Sequence, residues 1–362
     1  MPTKVLFILK RREDFNPVAH SPLGLSTGLF NSALFVKDML NDVGIEAEME
    51  VAIDNNCIDR LITKHRPTHV IVEALWVVPS KFSVLCKLHP TVKWIIRLHS
   101  EMPFMAGEGM AMDWLGEYIK FPNISIGINA PRMLNEMRIY LGTATDMTIE
   151  ELKKRIFYLP NYYPQDYKQK NYNINSYRGK KHHIDIACFG AVRLLKNHMI
   201  QTVAAIKYAN SQGKQLRFHI NAGREEMQGS PVMHNLRGMF QHLTEHGHQL
   251  IAHDWAVRDD FLKICAQMDV GLQCNFSETF NIVSADLVSQ GVPIVGSNEI
   301  PWSARFFNAR PTETEEIYHG IKKTMQHPRL NVWLNQRGLT KYTSKTQRIW
   351  FRYFKENTNE QT

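Results

Sequence analysis

The sequence predicts an α/β protein built from two parallel-sheet domains. Short apolar runs alternate with segments of helical apolar spacing over residues 4–159 and again over 184–326. Repeated strand–helix units of this kind imply a parallel sheet with helices on both faces. Between the two series, residues 160–181 are rich in Asn, Tyr, Lys and Gln and read as a linker. The length of 362 residues fits two domains of ~100–200 residues each.

In chain order, Lys4–Leu9 reads as a buried strand, residues 10–28 as a polar loop, and Leu29–Val43 as a helix ending at Gly44. A Ser/Thr/Gly-rich turn there is a ligand-approach loop in α/β folds, although it is not GxGxxG and a plain cap at Ser26 or Thr27 explains it equally. Strands follow at 48–53, 68–74, 92–98, 124–128 and 157–159. The helices between them are 57–65, 81–88, 104–119 and 131–140. After the linker, strands at 184–189, 216–221, 249–253, 269–273 and 292–296 alternate with helices at 198–210, 232–246, 259–267, 282–290 and 313–326. A last basic and aromatic helix covers Lys345–Phe354. The expected domains are 1–160 and 182–340, with 161–181 as linker and 341–362 as a closing helix and tail.

Composition narrows the class. Apolar residues make up 44% and charged residues 22%, which suits a chain that buries full cores. No run approaches ~18 consecutive apolar residues, so no integral membrane contact is expected. The apolar stretch near the N-terminus is too short for a signal peptide, and a cytoplasmic location is expected. Five scattered cysteines suit free thiols in a reducing compartment. The net charge is +8, and Ile321–Lys355 holds nine Lys/Arg and no Asp/Glu. Either a solvated helix face or a surface for a polyanion fits that run.

The stretch that organises the chain is 269–297, DVGLQCNFSETFNIVSADLVSQGVPIVGS. It reads strand, loop, helix, turn, strand. Glu278 falls at the C-terminal edge of a parallel strand and just before a helix start, where open α/β sheets bind ligands and a helix N-terminus favours phosphate. Asp286 lies about two turns further on. Upstream, GAVRLLKNH places Arg193 and Lys196 after the first strand of the second domain, where two cations could neutralise a diphosphate. Surface cations would look the same. Carboxylates accept hydrogen bonds from sugar hydroxyls, and also complement a helix dipole. His99 follows a first-domain strand in RLHS. GxSxG, HExxH and GxxxxGK[ST] are absent, which disfavours the common hydrolase and NTPase chemistries. Together the parts suit a nucleotide diphosphate-sugar.

Several of these pieces resemble the retaining glycosyltransferases of GT-B fold, the group of sucrose-synthase-like and mannosyltransferase-like enzymes. GAVRLLKNH resembles their G-R-x-x-x-K loop, SETFNIVSADLVSQGVPIVGS resembles their E-x7-E motif with its trailing G-x-P-V-V, and LPNYYP resembles their interdomain junction. YTSKTQRIWFRYF resembles the final helix that crosses back onto the first domain. The likeness is strongest over roughly 155–355. It implies two Rossmann-like domains facing across a cleft. It also implies donor diphosphate contacts from Arg193, Lys196, Asn281 and Ile282, catalytic roles for His99 and Glu278, and a ribose contact from Asp286. The donor base would lie by Trp255 and Ala256, and the acceptor by Gly28 and Glu101. The nucleotide-sugar, expected to be a UDP-sugar, is a substrate; no cofactor and no metal are implied. Two departures stand out: Asp286 replaces the second Glu, and Thr279-Phe280-Asn281 replaces Gly-Phe-Gly. The chain also resembles stand-alone glycosyltransferases encoded by bacteriophages, some of which glycosylate hydroxymethylpyrimidines in DNA. Lys10, Arg11, Arg12 and the basic C-terminal segment would then meet a phosphate backbone. A surface glycan as acceptor, or a sugar-nucleotide-binding protein without catalysis, are the alternatives.

Overall fold

The computed structural model describes residues 2–11, 27–168, 182–223, 225–226 and 228–359. The loop 12–26, with Arg12, and linker residues 169–181 lie outside the described residues. Two compact units divide the chain: Met1–Pro164 with Thr343–Thr362, and Gln165–Tyr342.

Unit 1 holds a six-stranded parallel sheet of order β2-β1-β3-β4-β5-β6. Its strands are β1 (Lys4–Lys10), β2 (Glu46–Ala52), β3 (His69–Glu73), β4 (Lys93–Leu98), β5 (Ile124–Ile128) and β6 (Ile156–Tyr158). Both faces are covered, so the central strands are apolar on both sides rather than alternating. Leu6, Ile8, Val70, Val72, Trp94 and Ile96 pack one face. Val5, Phe7, Ile71 and Ile95 pack the other. The helices are α1 (Thr27–Asp42), α2 (Cys57–His65), α3 (Pro79–Leu88), α4 (Met102–Met105), α5 (Ala111–Tyr118), α6 (Pro131–Ala144) and α7 (Ile149–Arg155).

Two sequence expectations change here. The single helix expected at 104–119 is split into α4 and α5, because Gly107 and Gly109 stand where it would continue. Helix α7 was not expected. It starts at a capping box in which Thr148 accepts from the Glu151 amide and the Glu151 side chain accepts from the Thr148 amide.

Unit 2 holds a five-stranded parallel sheet of order β11-β10-β7-β8-β9. Its strands are β7 (His183–Ala187), β8 (Gln215–Asn221), β9 (Gln249–His253), β10 (Val270–Gln273) and β11 (Ile294–Gly296). Its helices are α8 (His198–Ser211), α9 (Gly229–Leu243), α10 (Arg258–Ala266), α11 (Ile282–Ser289) and α12 (Thr314–Gln326).

The last helix, α13 (Pro328–Asn359), is one continuous element of 32 residues, not the short helix expected at 345–354. Its first half hides its periodicity because the inward positions are polar. Asn331 donates to the Ile294 carbonyl at 2.8 Å and accepts from the Ile294 amide at 3.0 Å. Asn335 accepts from the Ala304 amide at 2.9 Å. A search for apolar spacing misses such a face. In the second half, Trp350 and Phe354 are buried in unit 1 and pack beneath β1 and β3. The Trp350 indole donates to the Pro160 carbonyl at 2.8 Å. No described helix is long and apolar enough to cross a membrane. The five cysteines are free thiols.

Candidate functional site

In unit 2 the strand order reverses between β7 and β10. Ligands of open α/β sheets bind at the C-terminal edge of such a switch point. The loops leaving these two strands, 188–197 and 274–281, are joined there: the Asn197 amide group donates to the Cys274 carbonyl at 2.9 Å, and the Phe276 amide to the Leu195 carbonyl at 3.0 Å.

The structure brings Lys196 and Glu278 together. They form a nearly buried ion pair, with side chains 9% and 8% exposed. Asn275 donates to the same Glu278 oxygen at 2.7 Å. Burial holds the Lys196 ammonium below the usual lysine range, against the pull of Glu278 and with the push of Arg193. Gly190 lets the lysine through. Its φ is +117°, and a Cβ there would stand 3.4 Å from Lys196 Cε. The next helix begins with His198, buried and held neutral, pushed down to about 3 by burial and by the two nearby cations. Arg193, in the loop that leaves β7, pairs with Glu226 at 3.2 Å.

At the start of α11, Asn281 has φ 63° and ψ 82°, the left-handed region. Asn tolerates this conformation better than most residues, so it fills the place of a permissive glycine. Its side chain accepts from the Ser284 amide at 2.9 Å and donates to Gln273 Oε1 at 2.8 Å. The cap leaves the Ile282 and Val283 amides outside the helix's own ladder, a ready anion-binding end. Asp286, on the same helix, is buried and pairs with Arg258 of α10 at 3.4 Å. Trp255 and Ala256 lie between β9 and α10, half-buried. Gly223, after β8, fits only as glycine beside them, because a Cβ would stand 2.8 Å from the Trp255 nitrogen. Thus Lys196, Glu278, Asn281 and Ile282 belong to one loop cluster, whereas Asp286 and Trp255 are held by neighbours along the same sheet edge.

In unit 1, His99 follows β4 and its Nε2 bonds Glu73, the last residue of β3. Glu73 and Arg97 are fully buried. Arg97 Nη1 donates to both Glu73 oxygens at 3.0 and 3.3 Å, and Nη2 donates to the Pro160 carbonyl at 3.2 Å and to Asn161 Oδ1 at 2.6 Å. Arg97, together with the hydrogen bond from His99, holds the Glu73 carboxyl below its usual range in spite of burial. Burial outweighs Glu73 at His99 and holds that ring below the usual histidine range, so the imidazole is neutral. Ala74, next to Glu73, has φ +67°, a strained value for alanine. Glu101 begins α4 and pairs with Arg132. Gly28 lies in the first turn of α1, where its carbonyl accepts from the Ser32 hydroxyl at 2.9 Å.

Sequence reasoning missed Glu73, Arg97 and Asn161. The signal was present, since one acid closes the otherwise apolar strand HVIVE and one arginine interrupts KWIIRL. It also missed Asn275 and Gln273, which hold Glu278 and Asn281, and Arg258. In unit 2 it missed a cross-strand chain in which Asp185 bonds His219 at 3.1 Å and His219 bonds His253 at 2.8 Å. Among the described residues, no group of three or more His, Cys, Asp or Glu is placed to hold a metal ion.

Comparison with solved structures gives full-length matches. The sucrose-phosphate synthase of Thermosynechococcus elongatus superposes with a TM-score of 0.65 at 10% identity, covering 99% of this chain and 100% of that one. The catalytic domain of starch synthase IV from Arabidopsis thaliana, bound to ADP and acarbose, gives 0.67 at 10% identity, covering 98% and 99%. The fold is GT-B. The E. coli trehalose-6-phosphate protein bound with UDP-2-fluoro glucose gives 0.60 at 13% identity, covering 83% and 76%. The GT-B likeness therefore extends over the N-terminal half, where the sequence motifs were weakest. No family model matches the sequence. No curated protein matches it.

Proposed function

We propose that this chain is a glycosyltransferase that moves a sugar from a nucleotide diphosphate-sugar to an acceptor hydroxyl with retention of the anomeric configuration. The observation that carries the reading is the Lys196–Glu278–Asn281 cluster at the switch point of unit 2, on a GT-B scaffold. A cation, a hydrogen-bond-accepting carboxylate and an open helix N-terminus in one place meet the three needs of a sugar diphosphate. Lys196 and Arg193 neutralise the diphosphate with the first amides of α11, and Glu278 accepts from sugar hydroxyls. Each cation exchanges its present carboxylate partner for phosphate. His99, neutral and bonded to Glu73, takes the role toward the transferred sugar that the resemblance implies; Asp286 serves the ribose and Trp255 and Ala256 the base. No metal step is needed in this reading, since cations and helix amides meet the leaving-group charge. Starch synthase IV with bound ADP and the E. coli protein with bound UDP-2-fluoro glucose support a nucleotide-sugar as donor. The proposed acceptor is a hydroxymethylpyrimidine in DNA, supported by the net charge of +8.

The test is turnover of UDP-, ADP- and GDP-sugars by the purified protein and by Glu278→Ala, with the product anomer read by NMR. A wild type that binds donors yet never hydrolyses or transfers them contradicts the enzyme reading. For the acceptor, hydroxymethylated and plain DNA are incubated with donor, digested and weighed as nucleosides. A mass gain confined to the hydroxymethylated sample is expected, and no gain removes DNA as acceptor.

A further inference from the structure

We propose that the outward face of α13 is a track for the phosphate backbone of duplex DNA. From 337 to 355, every exposed position of this helix is a lysine or arginine: Arg337, Lys341, Lys345, Arg348, Arg352 and Lys355. They recur every three or four residues, so they form one line along the helix. At 1.5 Å rise per residue the line is about 27 Å long, with steps of roughly 4.5–6 Å. The opposite face is turned into the protein through Asn335, Leu339, Thr343, Thr346, Trp350 and Phe354, all buried.

The line contains no acidic residue. No Asp or Glu occurs between Glu316 and Glu356. Among the described residues, Arg337, Lys341, Lys345 and Arg348 make no ion pair or hydrogen bond; Arg337 lies 5.4 Å over the Trp333 ring. Elsewhere the exposed lysines Lys64, Lys120, Lys153 and Lys263 pair with an acid, while Lys10, Lys87 and Lys154 are exposed outside any row of cations at helical spacing. Like charges three or four residues apart destabilise a helix by about 0.2–0.5 kcal/mol per pair. A run of them without acids is relieved by an external polyanion, whose counterions are released on binding.

Charge complementarity and shape favour a duplex over a lipid surface. A helix that lies in a membrane buries an apolar face among the headgroups. Along 337–355 the apolar face is already buried in the protein core, and the exposed face is cationic throughout. The exposed apolar pair Leu330 and Trp333 precedes the line. A row of cations at helical spacing suits a duplex, which carries one charge per ~1.7 Å of axis. This deepens the DNA-acceptor reading and rests on it for the partner, while the binding itself needs no donor.

The experiment measures fluorescence anisotropy of a labelled duplex with the full-length protein from about 50 to 200 mM salt. Three proteins are compared: wild type; the line variant Arg337→Gln, Lys341→Gln, Lys345→Gln, Arg348→Gln; and a control, Lys64→Gln, Lys120→Gln, Lys153→Gln, Lys263→Gln, with the same net charge. The slope of log Kd against log salt should fall by about 3 to 4 in the line variant, at ~0.9 per phosphate contact, and by less than ~1 in the control. Equal losses in the two variants would show bulk charge rather than a track and overturn the proposal. So would absence of duplex binding at low salt, or binding confined to vesicles containing phosphatidylserine. If the duplex binds through the line but no sugar reaches hydroxymethylated DNA, the acceptor reading fails and the track stands.

Discussion

Two buried charge clusters of this protein are built on opposite terms. In unit 1, Glu73 and Arg97 are wholly buried, and Arg97 satisfies its donors on Glu73, two carbonyls, Leu159 and Pro160, and Asn161. In unit 2, Lys196 and Glu278 meet each other at the sheet edge with a little exposure left, and Asn275 also donates to the acid. The arginine cannot shed its proton inside a protein, whereas a buried lysine can. Unit 1 therefore holds a fixed charge that needs its acid permanently, and unit 2 holds a charge pair whose partners can be exchanged. The first arrangement holds His99 through Glu73; the second is the one that the proposed function would open to a ligand.

The largest expected effect breaks the exchangeable pair. Glu278→Ala should lower transfer by about 10²–10³-fold, the scale of losing one preorganised polar contact, while the fold survives because Lys196 can neutralise. Steady-state rates and a melting curve on the same sample check both halves. Loss of fold together with activity would erase the distinction between the clusters.

Breaking the fixed pair should cost mainly stability. Glu73→Ala strands Arg97 in the core, for about 3–5 kcal/mol, and Glu73→Gln should cost less because it still accepts one hydrogen bond. Urea unfolding of the two variants checks this order. A smaller cost at Glu73 than at Glu278 would reverse the comparison.

Each unit also holds a buried histidine whose proton affinity is strongly lowered, which compares them by acid. His69 in β3 is pushed down to about 4 by burial, then by Lys93, and His198 to about 3. Both lie below the unfolded value near 6.5. The unfolded chain thus binds more protons, so this stability is complete above about pH 6.5 and is lost as pH falls towards 4 and then 3. Each ring contributes up to ~1.4 kcal/mol per pH unit in that window. Unfolding free energies at about pH 7, 5.5 and 4.5 should fall accordingly, and His198→Gln should flatten the curve. An unchanged slope in that variant would mean that unit 2 does not govern acid stability.

The smallest effect sharpens the site itself. Asn281→Ala combines a left-handed alanine with a lost cap and should cost about 1–3 kcal/mol, whereas Asn281→Gly should stay within a few tenths. Thermal melts and donor binding of the two variants separate backbone conformation from the cap.

The sheet alternation was legible because parallel strands buried on both faces are continuous apolar runs, as in KVLFIL and HVIVE. The loops at the switch point stood out in the sequence because cations and a helix start are the residue types that suit an anion. What stayed hidden depends on pairing across distance. Nothing local says that Glu73, Arg97 and His99 meet, since they come from two strands. Nothing local says that Asn331 and Asn335 face inward, since asparagine normally marks a turn or a surface. The departure at Asn281 looked like a lost glycine in sequence, yet the backbone conformation is kept.

The placement of Trp350 and Phe354 bears on synthesis. These two side chains complete the face of the unit 1 sheet formed by Val5, Phe7, Ile71 and Ile95, and residues 165–342 separate them from the rest of that unit. A ribosome adding ~5–20 residues per second needs roughly ten to forty seconds to cross that interval. For that time the first unit to emerge carries an apolar face covered only in part, by α1, while the second, contiguous in the chain, can close as it appears. Nascent chains arrested before Thr343 should therefore be the ones that chaperones hold.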